Sequence, residues 1–294
     1  MDLNPFSLIT DFLSDEAALS NNNGAGRGEN LHKENNMRII GEDLHIMNHE
    51  FLQVMEKQDA DGLVRLARRQ VEAGAAALDI NLGQNKKFGL RTPWLVETIQ
   101  QAMDVPLLLS NHVLKEPRAL EVHKGTATIN AVTANPAELI RAMETAKRFQ
   151  ADLVVLLVSS KLTPTDADGR LRLALMVQDV ADEVGMPLEQ LYLDPVISCR
   201  PDPAAWGLSA GLPNIEVLLN SIRLLGELSD HRLRTIAAIS NSSICLAAGE
   251  RSALHCRLLP MLAEAGLDAV IMNCRDEKLM AAAKNINTAL PTAA

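Results

Sequence analysis

Aromatic side chains are scarce in this sequence: five Phe, two Trp and one Tyr make up 3% of its 294 residues. So thin a supply excludes an aromatic cage for quaternary amines and the stacking platforms that single-stranded nucleic acid requires. Positive charge is also in deficit, with 28 Lys and Arg against 37 Asp and Glu and a formal net charge of -9. A nucleic-acid surface calls for the opposite balance. Cysteine is rare too, and Cys199, Cys245, Cys256 and Cys274 are widely separated, with no CxxC and no adjacent His pair. Neither a zinc site nor a disulfide framework fits that spacing, so no protein-bound metal is expected. No window approaches the roughly 18 uninterrupted apolar residues of a membrane span. The first residues are acidic, unlike the basic start of a signal peptide. The expectation is a cytoplasmic protein that engages neither membrane nor nucleic acid.

What is present is ample apolar material, 47% of the chain, enough for a large core in one big domain or two small ones. Residues 1 to 36 stand apart: "PFSLITDFLSDEAALS" is followed by "NNNGAGRGENLHKENN", too rich in Asn and Gly to support a packed core. This reads as an appendage, either a docking helix or a frayed tail.

From residue 37 short apolar runs alternate with longer stretches of helical period. The eight runs are "MRIIGE" (37 to 42), "ALDINLG" (77 to 83), "VPLLLSN" (105 to 111), "ATINAVT" (127 to 133), "DLVVLLVSS" (152 to 160), "LYLDPVI" (191 to 197), "TIAAISN" (235 to 241) and "AVIMNC" (269 to 274). Helix candidates between them include "HEFLQVMEKQDADGLVRLARRQVEAG", "TPWLVETIQQAM", "NPAELIRAMETAKRF" and "ERSALHCRLLPMLAEAG". Thr92-Pro93 and Asn135-Pro136 each pair a capping residue with proline at the first helical position. Continuous rather than alternating apolar strands imply a parallel sheet covered by helices. Eight such units predict a (β/α)8 TIM barrel over residues 37 to 294, with a doubly wound open sheet as the alternative. No GxGxxG or GxxxxGK[ST] loop supports a nucleotide-binding version.

Barrel enzymes place their chemistry at the C-terminal ends of the strands. Those ends collect Glu42, Asp79, Asn81, Ser110, Asn111, Asn130, Ser160 with Lys161, Asp194, Asn241 and Asn273. A ring of carboxylates and amides suits a polar heterocycle, because Asp and Asn together pair with an amino group, a ring N–H and a carbonyl. Asn81, Ser160 and Asn273 fit a capping or turn role equally well. Asp194 and Asn130 sit in otherwise apolar runs, where a polar group without a partner is costly.

"GED", "RRQVEAGAAALDINLG", "ATIN", "MPLEQLYLDPVI" and "AAISNSS" occur in order and spacing similar to the methyltetrahydrofolate:corrinoid protein methyltransferases. These are pterin-binding barrels of the dihydropteroate synthase type, and the resemblance spans about residues 37 to 290. It implies that Asp194 and Asn130 hold the pterin ring and that Asn241 lies near N5 as the catalytic amide. Asp79, Asn81, Ser110, Asn111 and Glu42 would line the pocket, and Lys161 would approach the folate tail. The implied reaction moves a methyl group between N5 of tetrahydrofolate and the cobalt of a corrinoid carried on a partner protein. A homodimer is the family's habit.

The sequence departs from that family at three places. Relatives typically end the third strand in Asp-Ser where this chain has Ser110-Asn111; Asp43 replaces a usual Arg; and Ile244 replaces a polar residue. Those changes motivate a second hypothesis, a pterin-binding or corrinoid-partner subunit without turnover. Dihydropteroate synthase is a third, although "AISNSSI" lacks the basic residue that a pyrophosphate site needs. Elsewhere, His112 and His123 read as surface or hydrogen-bonded residues, the eleven methionines as core filler, and Cys245 and Cys274 as buried thiols. The loop "SCRPDPAAWGLSAGLPN", with Arg200 and Trp206, reads as a lid or a partner contact.

Overall fold

A computed structural model describes residues 36–83, 85–160, 164–197, 215–228, 233–244 and 246–289. Eight parallel strands close into a barrel in sequence order. They are β1 (Arg38–His45), β2 (Ala77–Asn81), β3 (Leu107–Ser110), β4 (Thr128–Thr133), β5 (Asp152–Leu156), β6 (Leu191–Asp194), β7 (Arg234–Ala238) and β8 (Ala269–Met272). The helices are α1 (His49–Lys57), α2 (Ala60–Ala73), α3 (Lys86–Gly89), α4 (Thr92–Ala102), α5 (Arg118–Val122), α6 (Pro136–Phe149), α7 (Ala167–Val184), α8 (Ile215–Glu227), α9 (Ala248–Glu264) and α10 (Glu277–Ala289). Closure removes both sheet edges and rules out the open-sheet alternative. No helix among the described residues is long and apolar enough to cross a membrane.

Several boundaries differ from the sequence reading. The long candidate from His49 to Gly74 is two helices, because Gln58 turns left-handed at φ 51 and the Asp59 carboxylate caps α2 through Gly62 N–H. Thr92 is not a cap: it lies inside α4, and its hydroxyl donates to the Gly89 carbonyl. Asn135 occupies the capping position of α6 but spends its side chain on Thr133 and Ser160 instead. β5 stops at Leu156 rather than Ser160, and β1 runs three residues past Glu42.

That extension of β1 contains a bulge. Gly41 pairs with Leu78 and Leu44 with Ile80, so three steps on β1 match two on β2. The extra residue bends the strand and re-aims its side chains, a device common beside active sites. Gln70 of α2 supports it, accepting from Asp43 N–H at 2.9 Å. Close approach also explains the glycine, because a Cβ on residue 41 would stand 2.3 Å from Gln70 Oε1.

Two cores result. The larger fills the space between sheet and helices; the smaller, of Ile40, Ala77, Leu108, Val154, Tyr192, Ile236, Ala269 and Ile271, fills the barrel. Below it, Arg234 donates to Tyr192 OH at 2.8 Å, stacks 3.9 Å from that ring and pairs with Asp152 at 3.0 Å. These groups pack the N-terminal end of the barrel, opposite the strand ends where barrel enzymes place their chemistry.

Candidate active site

Period-two geometry builds the mouth directly from the inner core. Two residues beyond Ile40, Ala77, Leu108, Tyr192 and Ile271 lie Glu42, Asp79, Ser110, Asp194 and Asn273. On β4, Asn130 is the register partner of Ser110 and shares its inward parity. The strands therefore bring Glu42, Asp79, Ser110, Asn130 and Asp194 to one end.

Their side chains divide the work. Asn130 Nδ2 donates to Asp79 Oδ1 at 2.9 Å, joining β4 to β2 across the mouth. Ser240, just after β7, donates to Glu42 Oε2 at 2.8 Å. Asp194 accepts from Val196 N–H at 2.7 Å. Val196 reaches that position at φ 61, a left-handed backbone that a β-branched residue rarely tolerates, so the chain bears strain to aim this N–H. Arg170 of α7 braces the same strand end, donating to the Pro195 carbonyl at 2.8 Å and to Ser221 at 3.2 Å.

The electrostatics follow from removing carboxylates from water. Burial pushes Glu42 up to about 7, against the hydrogen bond from Ser240, and the neighbouring Asp79 and Asp43 add to the rise. Asp79 is pushed to about 6 by burial, with Asn130 opposing. Burial likewise takes Asp194 to about 7, opposed by Val196 N–H and the Arg170 charge. Three carboxyl groups poised near neutrality form a surface that accepts from N–H donors or holds protons, according to what enters.

Ser110 is engaged within the wall. Its hydroxyl donates to the Ile80 carbonyl at 2.8 Å and accepts from Leu82 N–H at 3.0 Å, tying β3 to the end of β2. Asn111 opens a short 3-10 turn (Asn111–Leu114), so strand alternation does not continue through it. Asn81 is exposed and accepts from Gly83 N–H; Asn273 accepts from Arg275 N–H in the same kind of turn. Ser160 is held by the Asn135 oxygen. Asn241 is half-buried on the 3-10 turn Ile239–Ser243 that carries Ser240. Lys161, Arg200, Trp206, Cys245 and residues 1–35 lie outside the described residues.

Asp43 is buried and ion-paired with Arg275, whose Nε is 2.8 Å from its Oδ2. His112 bonds Thr92 at 2.6 Å and His123 contacts Leu107 N–H and the Gly125 carbonyl, both structural placements. The Cys274 thiol is pushed up to about 12 by burial and the nearby carboxylates, far from nucleophilic. Among the described residues no cluster of His, Cys, Asp and Glu is placed to hold a metal ion.

Sequence reasoning passed over Ser240, Arg170, Gln70 and Arg275. Ser240 had a usable signal, since it precedes Asn241 in the strand-end run "ISNSS". Arg170, Gln70 and Arg275 had none, because their partners are 25, 27 and 232 positions away in the chain (195 − 170, 70 − 43, 275 − 43).

Comparison with known proteins agrees with the barrel fold. The model of a family described as pterin binding enzyme matches residues 44–273. The chain superposes on dihydropteroate synthase from Vibrio fischeri with a TM-score of 0.63 at 15% identity, covering 90% of this chain and 96% of that one. The Xanthomonas albilineans enzyme in complex with 7,8-dihydropteroate gives 0.62 at 14%, covering 88% and 94%. For the Coxiella burnetii enzyme in complex with pteroic acid the values are 0.63 and 14%, with 86% and 93% covered. At such identities the structural likeness shows the fold.

Proposed function

We propose that this chain, which belongs to the pterin-binding enzyme family, moves a methyl group between N5 of tetrahydrofolate and the cobalt of a corrinoid protein. The observation that carries this reading is the pairing of Asp79 with Asn130 at a mouth that also presents Glu42, beside Asp79 on the neighbouring strand, and Asp194 on β6. A pterin ring offers an amino group, a ring N–H and a carbonyl. The carboxylates of Asp79 and Asp194 accept from the first two. Asn130, beyond its bond to Asp79, has a carbonyl oxygen and a second N–H for the rest.

The turn bearing Asn241 adjoins Glu42 through Ser240. A tertiary amine leaves poorly, so N5 must take up a proton before or as its bond to the methyl carbon breaks, and it then departs as a neutral secondary amine. The Asn241 oxygen accepts from the protonated nitrogen, a bond to a charged group worth roughly 1.5 to 3 kcal/mol. The corrinoid, brought by its partner protein, supplies the cobalt that exchanges the methyl group. This chain positions and polarises the folate.

The decisive experiment mixes the protein anaerobically with methyltetrahydrofolate and cobalt(I) cobalamin and follows methylcobalamin spectroscopically. Protein-dependent turnover that disappears in Asn241→Ala and Asp194→Ala supports the reading. Absence of turnover with both free cobalamin and a corrinoid protein overturns it. A second reading, a pterin-binding subunit without turnover, is favoured by Ser110, whose hydroxyl hydrogen is directed at β2 rather than at the mouth. Calorimetric pterin binding without methyl transfer identifies that case. Dihydropteroate formation from a pterin diphosphate and aminobenzoate would identify the third. Against it, the cation Arg275 after β8 is paired with Asp43.

A further inference from the structure

His255 of α9 is buried at 6% exposure and has no part in the pterin contacts described above. Its Nε2 lies 2.8 Å from Ser243 Oγ, and that hydroxyl donates to the Ser240 carbonyl at 3.1 Å. A serine hydroxyl has one hydrogen. With that hydrogen directed at residue 240, His255 Nε2–H is the donor and Ser243 the acceptor. Burial and Arg251 hold the imidazole below its ordinary pKa, with Asp276 opposing. The Nε2–H exists in this neutral tautomer and in the imidazolium alike, so the contact is independent of charge.

The segment this contact supports is intrinsically weak. Ile239–Ser243 is a 3-10 turn of five residues without a side-chain N-cap. Such turns have poor hydrogen-bond geometry and need outside support. Ser242 donates to the Ile239 carbonyl at 2.7 Å and Ser243 to that of Ser240, so two serines close the turn from within. Among the described residues, His255 reaches in from another element and fastens the second of them. The same turn carries Ser240, bonded to Glu42, and Asn241.

We propose that His255 is a positioning residue: through Ser243 it fixes the turn that presents Ser240 and Asn241 to the mouth. Its kinetic consequence rests on the methyl-transfer reading, whereas its structural consequence does not. The test therefore has two arms on the full-length protein. Hydrogen–deuterium exchange is followed over residues 238–244 in the unaltered chain, His255→Leu, His255→Gln and Ser243→Ala. Loss of the bond should speed exchange there about tenfold in His255→Leu and Ser243→Ala, with β3 and β4 unchanged. His255→Gln, which retains an amide donor, should restore most of the protection. Unchanged exchange in Ser243→Ala, or equal acceleration throughout the barrel, would overturn the proposal. In the methyl-transfer assay, kcat should fall about tenfold in His255→Leu and recover in His255→Gln, with the folate KM unmoved. A KM that rises while kcat holds also overturns it. If the unaltered protein does not turn over, the methyl-transfer reading fails by itself and exchange alone decides the role of His255. Should His255→Leu not fold, His255→Phe, which fills the site without a donor, decides in its place.

Discussion

Asn130 donates to Asp79 at 2.9 Å across the barrel mouth, from a residue 51 positions further along the chain. The amide opposes the rise that burial imposes on the carboxyl pKa, and it fixes which oxygen faces a ligand. Asn130→Leu should leave a buried carboxylate without its donor. We expect a loss of about 1 to 3 kcal/mol in denaturant unfolding and pterin affinity at least about tenfold weaker by calorimetry. Intact affinity in that variant would remove Asn130 from the pterin site.

The same carboxyl groups set a pH dependence. Glu42 and Asp194 titrate near 7 and Asp79 near 6 when folded, against 4.5 for Glu and 3.8 for Asp in the unfolded chain. Between those values the folded state binds more protons, so stability is greatest on the acid side and declines as pH rises through 6 and 7. Each pH unit separating the folded and unfolded pKa values of a group is worth about 1.4 kcal/mol. Thermal unfolding of the ligand-free protein should show a higher midpoint at about pH 5.5 than at about pH 8. Asp194→Asn should flatten the profile.

Ligand binding should run the other way. If ionised Asp79 and Asp194 accept from the pterin, binding favours the deprotonated forms and releases protons near neutrality. Calorimetric heats should then vary with the ionisation enthalpy of the buffer, and affinity should weaken below about pH 6. Buffer-independent heats together with pH-independent affinity would show that these carboxyls do not contact the ring.

Arg275 compensates Asp43, one of the two acidic residues in the β1 bulge. Burial raises the Asp43 pKa and the Arg275 guanidinium opposes that rise most strongly. Arg275→Ala should destabilise by about 1 to 2 kcal/mol at pH 8, less than a wholly buried pair would, because the arginine is half exposed. Asp43→Asn in the same chain should recover part of the loss. Additive losses in urea unfolding would show that the two residues are not coupled.

Gly41 is a matter of space. Its missing Cβ leaves room for Gln70 Oε1, the acceptor for Asp43 N–H. Gly41→Ala should lower the melting temperature by several degrees, the equivalent of about 1 to 3 kcal/mol. Shortening the opposing side chain, in Gly41→Ala with Gln70→Ala, should cost less than the sum of the separate changes. Strict additivity would count against the contact.

Much of this protein was legible in one dimension. Six of the eight strands fall inside the apolar runs and the other two, β1 and β7, overlap theirs and overrun them at one end, because a strand buried on both faces favours continuous apolar sequence. Asn130 and Asp194 stand out as polar residues in otherwise apolar runs, for the same reason. The break at Gln58 was less visible, since Asp59 as a cap interrupts a pattern that remains amphipathic on both sides.

What the sequence determined by itself is the set of elements and the chemical character of their ends, since both follow from local pattern and desolvation. Only tertiary structure decided closure of the sheet, the bulge at Glu42 and Asp43, and the partners Gln70, Arg170, Ser240, His255 and Arg275. Those bonds join residues from 12 to 232 positions apart (255 − 243 and 275 − 43). Which donor meets which acceptor there depends on strand register and helix packing, and no local spacing encodes either.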